Sequence, residues 1–68
     1  MKNRIKVERA KNNLTQADLA KLAKVSRQTI NAMELGKYAP SVILALRLSE
    51  IFKTGVNELF QIEASDWE

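Results

Sequence analysis

The chain contains no cysteine, no histidine, a single proline and only two glycines. Without Cys or His it has neither disulfide staples nor the usual zinc ligands, which agrees with a reducing compartment. Aromatic residues are nearly as scarce, at one Trp, one Tyr and two Phe. Apolar runs stay short, and Val42-Ile43-Leu44-Ala45-Leu46 falls far below the roughly 20 residues of a membrane span. There is no Gly-rich phosphate loop and no pair of carboxylates on one face of a cleft, so an enzyme is the least supported reading. No catalytic residue, metal site, cofactor or small-molecule ligand is predicted. The opening Met1-Lys2-Asn3-Arg4 leads into mixed charged and apolar positions, not into the apolar core of a signal peptide, and a cytoplasmic protein is expected.

What remains is enough for one small domain of 68 residues. Domains of this length bury only about 60% of the surface of the unfolded chain, so self-association is the natural source of added stability. The net charge of +3 conceals an asymmetry. Residues 1–40 carry nine Lys or Arg against three Asp or Glu, whereas residues 41–68 carry two against five, giving +6 and −3. A basic front suits a polyanion, although uneven charge also arises by chance on small domains.

Helix signals recur and strand alternation is nearly absent, so the domain is predicted to be all-α. A first helix fits residues 4–12, with Asn12-Asn13 as its stop. Thr15 is an N-cap for a helix over Gln16–Lys24, supported by Asp18 three residues on. Ser26 caps a third helix, Arg27–Leu35, ended by Gly36. Pro40 and Ser41 open a fourth to about Lys53, with Leu44, Ala45, Leu48, Ile51 and Phe52 on its core face. Thr54-Gly55 is read as its break, and Val56–Phe60 as one further turn or two.

Two capped helices joined by two or three residues around Val25 form the geometry that presents a short helix to the DNA major groove. On the third helix Ile30 and Met33 are spaced to face inward, and Arg27, Gln28 and Asn31 to face outward. Arg pairs with guanine, and Gln or Asn with adenine, through two hydrogen bonds each. A solvated polar face would have the same composition. The flanking Thr15-Gln16, Ser26 and Lys37-Tyr38 tip the balance, since hydroxyls, amides and cations at helix ends commonly hold phosphates.

Leu14-Thr15-Gln16-Ala17-Asp18-Leu19-Ala20, Val25-Ser26-Arg27-Gln28-Thr29-Ile30-Asn31, Glu34-Leu35-Gly36-Lys37-Tyr38 and Pro40-Ser41 together give a specific likeness. The chain resembles the Xre family of lambda-repressor-like helix-turn-helix transcriptional regulators from about Asn3 to Gln61. The resemblance implies a compact five-helix DNA-binding domain whose third helix enters the groove. By that likeness Arg27 and Gln28 read bases, and Asn31 reads a base or a phosphate. Gln16 binds the backbone while bracing Gln28, and Ser26 and Lys37 fall on phosphate-contacting positions. Tyr38 lies beside them, where an aromatic also serves to cover the core. Arg9 and Glu34 match a structural ion pair. In short relatives the chain ends pair in a small sheet, which places strands at Lys2-Asn3-Arg4 and Gln61-Ile62.

The chain departs from the family pattern at the helix-turn-helix turn, where Lys24 replaces a frequent Gly and a regular turn is the alternative. Leu35 and Ala39 replace frequent Asn residues, and Glu8 replaces a frequent Leu, leaving Ile5 as the main apolar residue of the first helix.

One short recognition helix reads too few base pairs for useful specificity, so a homodimer on a pseudo-palindromic double-stranded DNA site is expected, with a repressor as the default. Val56, Ile62 and Trp67 are the expected dimer-interface residues, whereas Leu59 and Phe60 are expected to close the core. The division is a DNA-binding domain over residues 1–62 and a tail over 63–68. The competing readings are an antitoxin and a protein-interaction module with the same fold. Retention of Gln16, Arg27, Gln28 and Lys37 argues against the latter.

Overall fold

The computed structural model describes residues 1–68. In chain order it contains β1 (Lys2–Asn3), α1 (Ile5–Lys11), α2 (Gln16–Ala23), α3 (Arg27–Glu34), α4 (Val42–Phe52), α5 (Val56–Leu59), β2 (Phe60–Gln61) and a closing 3₁₀ turn at Ala64–Trp67. The expected five helices are present, and the terminal strands pair antiparallel, Lys2 opposite Gln61 and Asn3 opposite Phe60. The second strand thus begins one residue earlier than expected. Phe60 leaves the helix because its side chain is needed in the core, where it is buried.

Each long helix starts where a hydroxyl can take up a free backbone N–H. Thr15 and Asp18 form a reciprocal capping box, with both hydrogen bonds at 3.0 Å. Ser26 accepts from Thr29 N–H at 3.1 Å, and Ser41 from Leu44 N–H at 3.2 Å. Helix α1 is an exception: Arg4 at its N-cap offers no side-chain bond, and Asn3 Oδ1 accepts from Ile5 N–H instead.

The helix ends share one device. After α1, α2, α3 and α4 a residue takes the left-handed conformation, namely Asn13, Lys24, Gly36 and Lys53. The next N–H then returns to a carbonyl five residues earlier, as in Leu14 to Arg9, Val25 to Ala20, Lys37 to Ala32 and Thr54 to Ser49, all within 2.9–3.1 Å. This six-to-one bond is the Schellman closure, for which glycine is the usual residue. Only Gly36 meets that preference. The turn after α2 is therefore not regular: Lys24 occupies the left-handed position itself, at φ 60°. The end of α4 likewise lies at Lys53, not at Gly55, whose φ of −60° is ordinary and which instead precedes α5.

The core gathers Ile5 from α1, Leu19, Ala20 and Ala23 from α2, Ile30 and Met33 from α3, Leu44, Leu48 and Phe52 from α4, and Leu59 and Phe60 near the end. Ala45 and Ile51 pack against it half-buried. Glu8, at the position often filled by Leu, is buried too. Its carboxylate accepts from Lys11 Nζ at 3.3 Å and Thr54 Oγ1 at 3.4 Å, so the charge is partnered across α1 and the α4–α5 junction. At the chain ends the Met1 ammonium lies 3.0 Å from Glu63 Oε1 and 3.2 Å from Asp66 Oδ2. Those hydrogen bonds raise the ammonium pKa above its ordinary value. No helix is long and apolar enough to cross a membrane.

Candidate nucleic-acid interface

The capped starts of α2 and α3 and the three-residue turn Lys24-Val25-Ser26 fix one helix against the other. Ile30 and Met33 are fully buried, anchoring the inner face of α3, while Arg27, Gln28 and Asn31 are exposed on its outer face. With Gln16 from the first turn of α2 these three side chains line an open groove of about 500 Å³ that contains no apolar residue. The groove offers a guanidinium and three carboxamides, a set able to hydrogen-bond the edges of bases. Arg27 and Lys37 form no ion pair within the chain, so both cations are available to an anionic partner.

Beneath the groove is a polar network. Arg9 Nε and Nη2 donate to Glu34 Oε2 and Oε1 at 2.8 and 3.2 Å, and Arg9 Nη1 donates to the Leu14 carbonyl at 3.0 Å. The Glu34 side chain is only 5% exposed. Burial by itself would raise its pKa, but the hydrogen bonds from Arg9 and Gln16 and the nearby positive charges outweigh it, and the carboxyl is held below its ordinary value. Arg9 thus joins α1 to α3 through a forked pair.

The network extends further than the sequence suggested. Gln16 Nε2 donates to Glu34 Oε1 and to Asn31 Oδ1, each at 3.1 Å. In this structure Gln16 braces Asn31, not Gln28, whose amide makes no hydrogen bond within the chain. The Gln16 to Glu34 link has no local sequence signal, because the two residues are 18 apart and meet only once α2 packs on α3. Asn3 was also missed as a support: its Nδ2 donates to the Met33 carbonyl at 2.7 Å, tying β1 to the last turn of α3.

Ser26 and Lys37 are exposed at the two ends of α3, and Tyr38 is partly exposed beside Lys37. The Ser26 hydroxyl is engaged as a cap and lies 2.9 Å from Thr29 Oγ1. Of the residues assigned to a dimer interface, Ile62 and Trp67 are 64% and 80% exposed. Val56, the first residue of α5, is half-buried against the core. A second hollow, about 610 Å³, lies between the chain ends and the end of α3. Its acids Glu34 and Glu63 are already paired with Arg9 and the Met1 ammonium.

A helix-turn-helix family model matches residues 5–59. The chain is 51% identical over 63 residues to an uncharacterized HTH-type transcriptional regulator of Methanocaldococcus jannaschii, covering 93% of this chain and 96% of the relative. One from Archaeoglobus fulgidus is 42% identical over 69 residues, covering 100% and 97%. A third, from Bacillus subtilis, is 38% identical over 63 residues, covering 93% and 96%.

Proposed function

The chain belongs to the lambda-repressor-like helix-turn-helix family, and from that membership we propose that it is a sequence-specific regulator of transcription, acting as a repressor in the cytoplasm. Two copies bind a pseudo-palindromic duplex site, each laying α3 in the major groove. Arg27, Gln28 and Asn31 face base edges, and Ser26, Lys37 and Tyr38 lie along the phosphates. The observation that carries this reading is the wholly polar groove formed by Gln16, Arg27, Gln28 and Asn31 on a helix whose opposite face is locked into the core. Exposed Ile62 and Trp67 supply apolar surface for pairing of two copies, with a smaller share from Val56. A dimer is required because a single α3 spans too few base pairs to compete with non-specific sites.

The test is selection of bound duplexes from a random library, with the wild-type chain and with Gln28→Ala. Enrichment of two inverted half-sites about 34 Å apart, with one position relaxed in the variant, is the expected result. A folded chain that enriches no sequence at moderate salt would refute the reading and redirect attention to a protein partner.

A further inference from the structure

The amides of the groove take their orientation from a group that has no hydrogen to give. Ionised Glu34 is an acceptor only. Its Oε1 lies 3.1 Å from Gln16 Nε2. Gln16 must therefore turn its NH₂ group inward, since the opposite orientation would set two oxygens against each other. The second hydrogen of that nitrogen meets Asn31 Oδ1 at 3.1 Å. Both hydrogens of Gln16 Nε2 are then engaged, which leaves Gln16 no donor for a phosphate unless it abandons one of these bonds. Asn31, accepting through Oδ1, keeps both hydrogens of Nδ2 unpartnered on the exposed face of α3.

We propose that the relay from Glu34 through Gln16 fixes Asn31 as a hydrogen-bond donor in the groove, so that Asn31 selects guanine over adenine at one position of each half-site. This rests on the reading of α3 as the base-reading helix. Guanine offers only acceptors, N7 and O6, at its major-groove edge apart from the base it pairs with. Adenine offers an acceptor at N7 and a donor at N6, and a carboxamide matches it by using both ends. The Asn31 oxygen is already turned to Gln16, so the adenine N6 hydrogens meet a donor. Glu34 and Gln16 are positioning residues here, acting through Asn31.

The experiment is random-library selection with four proteins: wild type, Asn31→Ala, Gln16→Leu and Glu34→Gln. Asn31→Ala identifies the position read by Asn31. Gln16→Leu removes the relay while leaving the Arg9–Glu34 pair intact, and Glu34→Gln lets residue 34 present either oxygen or nitrogen to Gln16. Thermal melts establish that each variant is folded. The wild type is expected to favour guanine over adenine at that position by about tenfold, the scale of one well-made base contact. In Gln16→Leu, and in Glu34→Gln if it folds, the ratio is expected to fall to about threefold or less with other positions unchanged. A loss of affinity shared by every sequence is what a merely structural role gives, and it would overturn the proposal. A wild-type preference for adenine at that position, or an unchanged ratio in Gln16→Leu, would do the same. If a site is enriched but no position depends on Asn31, this inference fails and the regulator reading stands. If a folded wild type enriches nothing, both fail.

Discussion

Replacing Arg9 with Met keeps the apolar stem of the side chain but removes the guanidinium and with it three hydrogen bonds, two to Glu34 and one to the Leu14 carbonyl. The Glu34 carboxylate is then left buried with Gln16 as its remaining partner. Breaking a fully buried ion pair costs about 3–5 kcal/mol. Arg9 is 17% exposed and Glu34 retains one bond, so the low end, about 3 kcal/mol, applies here. About 1 kcal/mol of that belongs to the lost Leu14 bond and does not depend on pH. The remainder does, and its sign follows from Glu34. In the wild type the folded-state pKa of Glu34 is lowered, so its contribution is complete above the unfolded value of about 4.3 and is lost as pH falls through the folded value. In Arg9→Met burial is no longer outweighed and the folded-state pKa rises. The variant is therefore penalised at neutral pH and relieved as Glu34 takes up a proton. Urea unfolding followed by circular dichroism at pH 7 and near pH 4 is expected to show the gap narrowing from about 3 toward about 1 kcal/mol. At about 4–8 °C per kcal/mol for a domain of this size, the melting temperature at neutral pH should drop by about 12–24 °C. A gap of the same size at both pH values would show that Arg9 acts through packing and not through the buried charge.

Lys24 and Lys53 occupy left-handed positions that disfavour a side chain, so Lys53→Gly is expected to stabilise the fold by about 0.5–1 kcal/mol, read as a raised urea midpoint with unchanged slope. Lys24→Gly should do the same, and a fall in stability in either would mean that the lysine side chain compensates the backbone cost. Lys37→Ala is expected to weaken binding to operator and random duplexes alike and to lower the slope of log K against log salt by about one. A change confined to the operator would instead make Lys37 a base reader. Ile62→Asp, on a strongly exposed side chain, is expected to shift sedimentation toward a single chain without altering the helical spectrum. An unchanged dimer at the same concentration would move the interface elsewhere.

The helix starts were legible because capping is local: Thr15, Ser26 and Ser41 each act within three residues of their own position. The inward and outward faces of α3 were legible for the same reason, since Ile30 and Met33 are spaced to share one side of any helix. Helix ends were less so. A six-to-one closure needs a left-handed residue, and nothing in Lys24 or Lys53 announces one; the backbone takes that conformation because the next helix must turn back onto the core. The brief strands escaped the periodic pattern because two residues are too few to alternate. They were suggested only by likeness to short relatives.

The sequence by itself determined which segments form α1 to α5, which faces of α2, α3 and α4 are apolar, and which polar side chains share the outer face of α3. Only the tertiary structure decided that Gln16 reaches Asn31 and Glu34, that Glu8 is sheltered between Lys11 and Thr54, and that Val56 is partly spent on the core while Ile62 and Trp67 are not. Caps and amphipathic faces arise from interactions within a turn or two of the chain. Which polar groups meet depends on how the helices cross, and that is set by the packing of the whole core.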